Sequence, residues 1–246
     1  ATGYNNIDLD AATKNGAVVC NVPSYSTNSV AQHTFAFILN HFNKVADYAN
    51  TVKKGDWVNY KFFSYFYMPT GEISGRTLGI IGFGDIGRKV AELGKAFGMN
   101  VIAYSRTKNK VTEAGFKAVE LNELLKCSDV LTIHCPLNDE TKELINKNTL
   151  EKMKKTALLV NTSRGGVINE QDLTNALNND VIAGACLDVI THEPMTEDCP
   201  LRNAKNCTIT PHIAWAPKET RERLLKVVGE NIKCFKEGNP QNVVNR

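Results

Sequence analysis

No apolar run approaches the ~18 residues needed to cross a bilayer, which excludes a helical membrane protein. The seven cysteines are odd in number and contain no C-x-x-C pair, which argues against a metal site, a dithiol motif or a disulfide framework. Most of them sit inside apolar runs and read as free thiols in a reducing, cytoplasmic setting. Neither sign of charge dominates: 29 Lys and Arg face 26 Asp and Glu, a net of +3. The cations are scattered, so no nucleic-acid footprint is expected. Repeats and low-complexity tracts are missing, as are an initiator Met and a signal-peptide pattern. The opening, Ala1-Thr2-Gly3-Tyr4, reads like the middle of a domain, and a preceding segment is expected. What remains is ordinary globular composition, 42% hydrophobic and 22% charged over 246 residues. That length can bury one large core or two smaller ones.

Short, almost continuously apolar runs recur at Ala17–Val22, Thr77–Gly82, Asn100–Tyr104, Asp129–His134, Thr156–Thr162, Val181–Asp188 and Cys207–Pro211. Strands buried on both faces require this character. Segments of helical spacing lie between them, at Ile86–Phe97, Leu121–Lys126, Ile145–Met153 and Glu170–Asn178. The alternation predicts a doubly wound α/β fold with a parallel sheet and right-handed crossovers. Two longer helices are expected outside this rhythm. One spans 28–54 with Ser26 or Thr27 as its cap; the other spans 218–237, between Pro217 and Gly238. A dense aromatic stretch, Trp57–Thr70, is expected to pack on a neighbouring surface, with a substrate-facing role as the alternative.

Gly82, Gly84 and Gly87 form G-x-G-x-x-G between a buried strand and a helix. The first glycine permits the tight turn, the second lets backbone approach a pyrophosphate, and the third lets helix pack on strand. The helix N-terminus then points free N–H groups at the phosphates. About 20 residues on, where an acidic side chain usually takes the ribose 2′-hydroxyl, the chain has Ser105-Arg106-Thr107-Lys108. A hydroxyl and two cations there would attract a 2′-phosphate, so NADP(H), or both cofactor forms, is expected. The alternative is that Arg106 and Lys108 are merely solvated.

Three later strands end in polar chemistry: Ser163-Arg164-Gly165-Gly166, then Asp188 with Glu193-Pro194, then Pro211-His212. Parallel strands bring these ends to one sheet edge, beside whatever binds the glycine turn. An arginine there can grip a carboxylate bidentately, and a histidine beside a carboxylate can serve as proton donor to a carbonyl. Singly, each has a structural alternative: a surface ion pair for Arg164, a loop histidine for His212, a solvated turn residue for Glu193.

These motifs, in this order, resemble the D-isomer-specific 2-hydroxyacid dehydrogenases, most of all the glycerate dehydrogenase/hydroxypyruvate reductase branch. The resemblance runs the whole length: Thr2-Gly3-Tyr4-Asn5-Asn6-Ile7-Asp8, Val30-Ala31-Gln32-His33-Thr34, the glycine turn, His134-Cys135-Pro136-Leu137, Asn161–Gly166, Leu187-Asp188-Val189 with Glu193-Pro194, and Pro211–Ala216. It implies a Rossmann dinucleotide-binding domain over 24–217. Residues 1–23, and a C-terminal helix within 218–246, would be remnants of a second, flavodoxin-like substrate domain. It implies Arg164, Glu193 and His212 as the catalytic set, with Arg164 and the Thr2-Gly3 loop binding the substrate carboxylate. Cofactor contacts are implied for Gly82, Gly84, Asp85, Ile86, Gly87, Ser105, Arg106, Thr107, His134, Cys135, Pro136, Thr162, Ser163, Asp188 and His212. The implied reaction is NAD(P)-dependent reduction of a small 2-oxo acid such as hydroxypyruvate or glyoxylate. The implied assembly is a homodimer joined through helix 28–54, with no nucleic acid, membrane or metal involved. Gln32 departs from the family's usual Glu, and Ser105-Arg106 from its usual acid. Relatives also carry roughly a further half-domain before the ATGYNNID loop. The alternative function is a nucleotide-sensing scaffold resembling corepressors that reuse this fold.

Overall fold

Apolar residues on alternate sides of each strand need cover on both faces, and the fold supplies it. The computed structural model describes residues 1–245. Strands β1 (Thr77–Ile81), β2 (Asn100–Tyr104), β3 (Lys117–Ala118), β4 (Val130–Ile133), β5 (Leu158–Asn161), β6 (Gly184–Leu187) and β7 (Cys207–Ile209) form one sheet. Their order is β3-β2-β1-β4-β5-β6-β7, and every pairing is parallel. Helices are α1 (Leu9–Lys14), α2 (Thr27–Asn43), α3 (Val45–Lys54), α4 (Asp85–Ala96), α5 (Lys108–Glu113), α6 (Leu121–Cys127), α7 (Lys147–Leu150), α8 (Glu170–Asn178) and α9 (Lys218–Lys236).

Successive strand residues feed opposite cores. Leu78, Ile80, Val130 and Val160 pack with Ile38 of α2 and Val90 of α4. Ile81, Leu131, Ile133 and Leu159 pack on the other face with Leu124 of α6 and Leu173 of α8. Strand order reverses at β1 and β4, and a ligand crevice opens beyond the carboxyl ends of strands at such a reversal. The doubly wound parallel α/β fold expected from the sequence is therefore the fold observed.

Several boundaries differ from expectation. The helix over 28–54 is two helices, because Lys44 is left-handed (φ 53°) and turns the chain. Seven residues of α2 are buried, but only Thr51 of α3, so α3 leaves the surface that α2 packs on. Ser26 stands at the N-cap of α2 without a side-chain cap bond. Ala17–Val22 is not a strand: among the described residues Cys20 makes an isolated bridge to Val243, and no strand lies beside it to extend the ladder. The helix expected over 145–153 shrinks to Lys147–Leu150, because Ile145 bridges Ile168 instead. The pattern-poor α1, α5 and two-residue β3 were not expected.

The aromatic stretch is not covered by this chain. Phe63 is 91% and Phe66 83% exposed. Tyr48 of α3 anchors the stretch, its hydroxyl donating to Met68 O and accepting from the Tyr67 and Met68 amides. The apolar stripe of α9 is likewise open, with Leu225 69% and Phe235 55% exposed. Among the described residues no helix is long and apolar enough to cross a membrane.

Candidate active site

Beyond β1 and β4 lies a cleft of about 250 Å³, lined by Gly82, Gly84, Ser105, Arg106, Thr107, His134, Cys135 and Pro136 among others. Gly82 is required by its own backbone (φ 89°), and a Cβ there would come within 2.8 Å of the His134–Cys135 backbone. A Cβ on Gly87 would strike Gly82 O, so this glycine seats α4 on β1. Gly84 is different. Its backbone (φ −82°, ψ −163°) suits any residue, and a Cβ would meet nothing within 4 Å. Nothing inside the protein needs glycine there; the bare backbone faces open space at the N-terminus of α4, where an anion is favoured.

His134 gives a second sign of a ligand in this cleft. Both ring nitrogens are buried without a partner, and burial pushes its pKa down to about 3, so the ring is neutral. Burial also pushes the Cys135 thiol up to about 11, which makes it a wall rather than a nucleophile. The lining suits a dinucleotide: bare backbone at Gly84, an unsatisfied imidazole at His134, and the hydroxyl and guanidinium of Ser105-Arg106-Thr107 on the same cleft. Asp85 and Ile86 open α4 beside the cleft, and the Asp85 carboxylate accepts a hydrogen bond from Ser24 Oγ.

The other half of the same edge is made by the ends of β5, β6 and β7. Asn161, fully buried at the end of β5, shapes the turn that carries Arg164. Its Oδ1 accepts from the Ser163 amide and hydroxyl, and its Nδ2 donates to Arg164 O. The guanidinium donates through Nε to Asn5 Oδ1 (3.0 Å) and through Nη1 to Ser163 O (2.8 Å). Its Nη2 lies so close to Gly3 that any Cβ there would collide with it. The Thr2-Gly3 loop and Arg164 are thus neighbours, as expected. Asn5 was not foreseen as the partner that aims the guanidinium. Thr162 Oγ1 meets Thr34 of α2 at 3.2 Å.

His212 Nδ1 donates to Glu193 Oε2 at 2.6 Å, and Glu193 Oε1 accepts from Ile190 N at 3.0 Å. The pair lies beside a cavity of about 730 Å³, whose lining includes Asp188, Ile190, Met195 and Thr210. Gly165 abuts the Ile190 backbone, so the Arg164 turn and the Glu193–His212 pair are packed together. The strands that lead into Arg164 and His212, β5 and β7, are two strand spacings apart, on the order of 10 Å.

His212 is left-handed (φ 54°), and Asp188 holds it there. His212 N donates to Asp188 O, while the 1%-exposed carboxylate accepts from Thr210 Oγ1 (2.5 Å), Ile213 N (2.9 Å) and Ala214 N (2.8 Å). The single Thr210 hydroxyl proton goes to Asp188, so the 3.0 Å contact with His33 Nε2 has His33 as donor. Burial lowers the His33 pKa against the raising pull of Asp188, 3.6 Å away. His33 lies in the Val30–Thr34 run that carries the family resemblance, but its pairing with Thr210, just beyond β7, appears only in the folded chain.

A parallel sheet that reverses at a glycine turn, with an Arg/Glu/His set on its carboxyl edge, defines a nucleotide-dependent enzyme domain. The chain belongs to the D-isomer-specific 2-hydroxyacid dehydrogenase family, whose NAD-binding-domain model matches residues 35–214. It is similar to a hydroxypyruvate reductase of Blautia hydrogenotrophica, 44% identical over the whole chain and 77% of that relative's length. The crystal structure of an Aquifex aeolicus D-lactate dehydrogenase with NAD and lactic acid matches with TM-score 0.89 at 34% identity. That match covers 100% of this chain and 78% of the other. An NADPH-dependent glyoxylate/hydroxypyruvate reductase of Sinorhizobium meliloti, with NADP and malonate, matches with TM-score 0.88 at 30% identity, covering 99% and 75%.

Proposed function

We propose that the protein reduces a small 2-oxo acid, hydroxypyruvate or glyoxylate, to D-glycerate or glycolate. A reduced nicotinamide, when bound, supplies the hydride. The carrying observation is the 2.6 Å His212–Glu193 pair, packed against the turn of a preoriented Arg164. With Nδ1–H given to Glu193, His212 offers Nε2 to the carbonyl oxygen as proton donor. Arg164, already aimed by Asn5 and Ser163, grips the carboxylate beside the Thr2-Gly3 backbone. Together Arg164 and His212 stabilise the developing alkoxide. Asp188, Thr162 and Ser163 border the nicotinamide end, and the turn from Gly82 to Gly87 takes the pyrophosphate.

Residues 24–217 form the dinucleotide-binding unit, while 1–23 and 218–246 are parts of a second, flavodoxin-like substrate domain. Supporting this, Asn231 Nδ2 donates to Asn21 O and Val19 N to Asn245 Oδ1, which ties the two ends together. A homodimer would use α3 and the aromatic stretch rather than α2, because α2 is buried in its own domain while Val45 and Phe63 are exposed. Seven unpaired thiols support a cytoplasmic setting. Arg106 on the cleft wall supports use of NADPH. The test is loss of reduced-nicotinamide absorbance with hydroxypyruvate and glyoxylate, using the full gene product. Turnover is expected with both cofactors; silence across a panel of 2-oxo acids would favour a nucleotide-sensing scaffold.

A further inference from the structure

The end of β2 has no acidic residue, yet the mouth of the cleft does. Arg106 Nη1 donates to Glu140 Oε2 at 3.1 Å, which closes an ion pair between the β2 end and the loop after β4. Both side chains line the same cleft as Gly84. The loop that carries Glu140 is braced by its own hydrogen bonds. Asn138 Oδ1 accepts from the Glu140 and Thr141 amides, and Thr141 Oγ1 donates to Pro136 O at 2.6 Å, which pins the loop to the cleft wall. Of the nearby cations, Lys108 is committed to Glu120, away from the mouth, while Lys110 lines the cleft.

We infer that Glu140 sets cofactor choice at the ribose 2′ position, supplying from across the cleft the acidic group that β2 lacks and holding Arg106 in check. The inference rests on the dinucleotide reading of the cleft. A 2′-phosphate has to take Arg106 from Glu140 and tolerate the carboxylate beside it. A free 2′-hydroxyl can instead donate to Glu140. Each partner therefore restrains the other's preference, and the intact pair accepts both cofactor forms. Removing Glu140 leaves Arg106 and Lys110 facing the phosphate alone; removing Arg106 leaves a bare carboxylate that repels it.

The pair is 72% and 69% exposed, so neither substitution threatens the fold, and the effects are modest and salt-sensitive. The experiment is fluorescence titration of the full chain with NADH and NADPH, alongside calorimetry with 2′,5′-ADP and 5′-ADP. Glu140→Gln is expected to raise the NADPH-to-NADH affinity ratio by about three- to tenfold at low salt, and less at high salt. Arg106→Gln is expected to lower the same ratio by a similar factor. The ADP pair should move in parallel, with no turnover needed. If both cofactors bind but neither variant moves the ratio, the role of Glu140 is refuted while the dinucleotide site stands. If the unsubstituted chain binds no dinucleotide, the cleft reading falls and this inference with it.

Discussion

The two halves of the sheet's carboxyl edge are built on opposite principles. Beyond β1 and β4 the cleft offers the bare backbone of Gly82 and Gly84, an imidazole with no partner, and open space over Gly84. Beyond β5, β6 and β7 nearly every polar atom near the reaction set is already matched, through Asn161, Asp188, Thr210, Glu193 and Asn5. The first half leaves hydrogen-bonding capacity open; the second has most of its donors and acceptors already committed. A site that takes its reactant from outside has to leave hydrogen-bonding capacity open, and the chemistry half gains by having its donors aimed in advance.

This contrast can be broken in four places. His212→Ala should have the largest effect, a fall in turnover of roughly 10²–10⁴. Dinucleotide affinity, followed by fluorescence, should survive, because the cleft is made elsewhere; joint loss of both would merge the two halves. Gly84→Val comes next. The side chain would project into the cleft, so dinucleotide affinity should drop at least about tenfold. Thermal unfolding should hardly change, since the torsions are ordinary; a collapse in Tm would show that this glycine serves the fold. Thr210→Val deprives Asp188 of a donor and His33 of an acceptor, and should cost about 1–3 kcal/mol in denaturant unfolding. The same variant should slow turnover more than it raises the cofactor KM.

The last test concerns pH, where the effect is absent at neutrality and grows only in acid. His134 is held neutral in the fold with its pKa down at about 3, whereas the unfolded chain protonates it below the ordinary 6.5. The contribution of the neutral His134 ring to stability is therefore complete above pH 6.5 and declines as the pH falls toward 3, as the unfolded state takes up the proton; His41, pushed down to about 4 by burial, adds a second decline of the same sign. His134→Asn should flatten that slope in denaturant midpoints measured across the range. An unchanged slope would mean that the imidazole is not an orphan.

Much of the cofactor half was legible in advance because its signals are local. Gly82 answers to its own φ, and the apolar runs at 77–82 and 129–134 announce burial on both faces without reference to any neighbour. The chemistry half was legible as residue types at strand ends, but its supports were not. Asn5 lies 159 positions from Arg164, and His33 lies 177 from Thr210. Helical pattern also proved ambiguous about cover: the apolar positions of α2 are buried in their own domain, while those of α9 stand open. Amphipathicity states which side seeks cover and leaves open what provides it.

Chain chemistry alone was enough for the kind of sheet, the glycine turn, and the family to which Arg164, Glu193 and His212 belong. Torsional freedom and the apolar period act between near neighbours, so they can be read without coordinates. Which charge stands opposite Arg106, which amide aims Arg164 and which imidazole backs Asp188 were settled only when strands took their places. Those contacts depend on spatial order, and hydrogen bonds acting over about 3 Å are blind to separation along the chain.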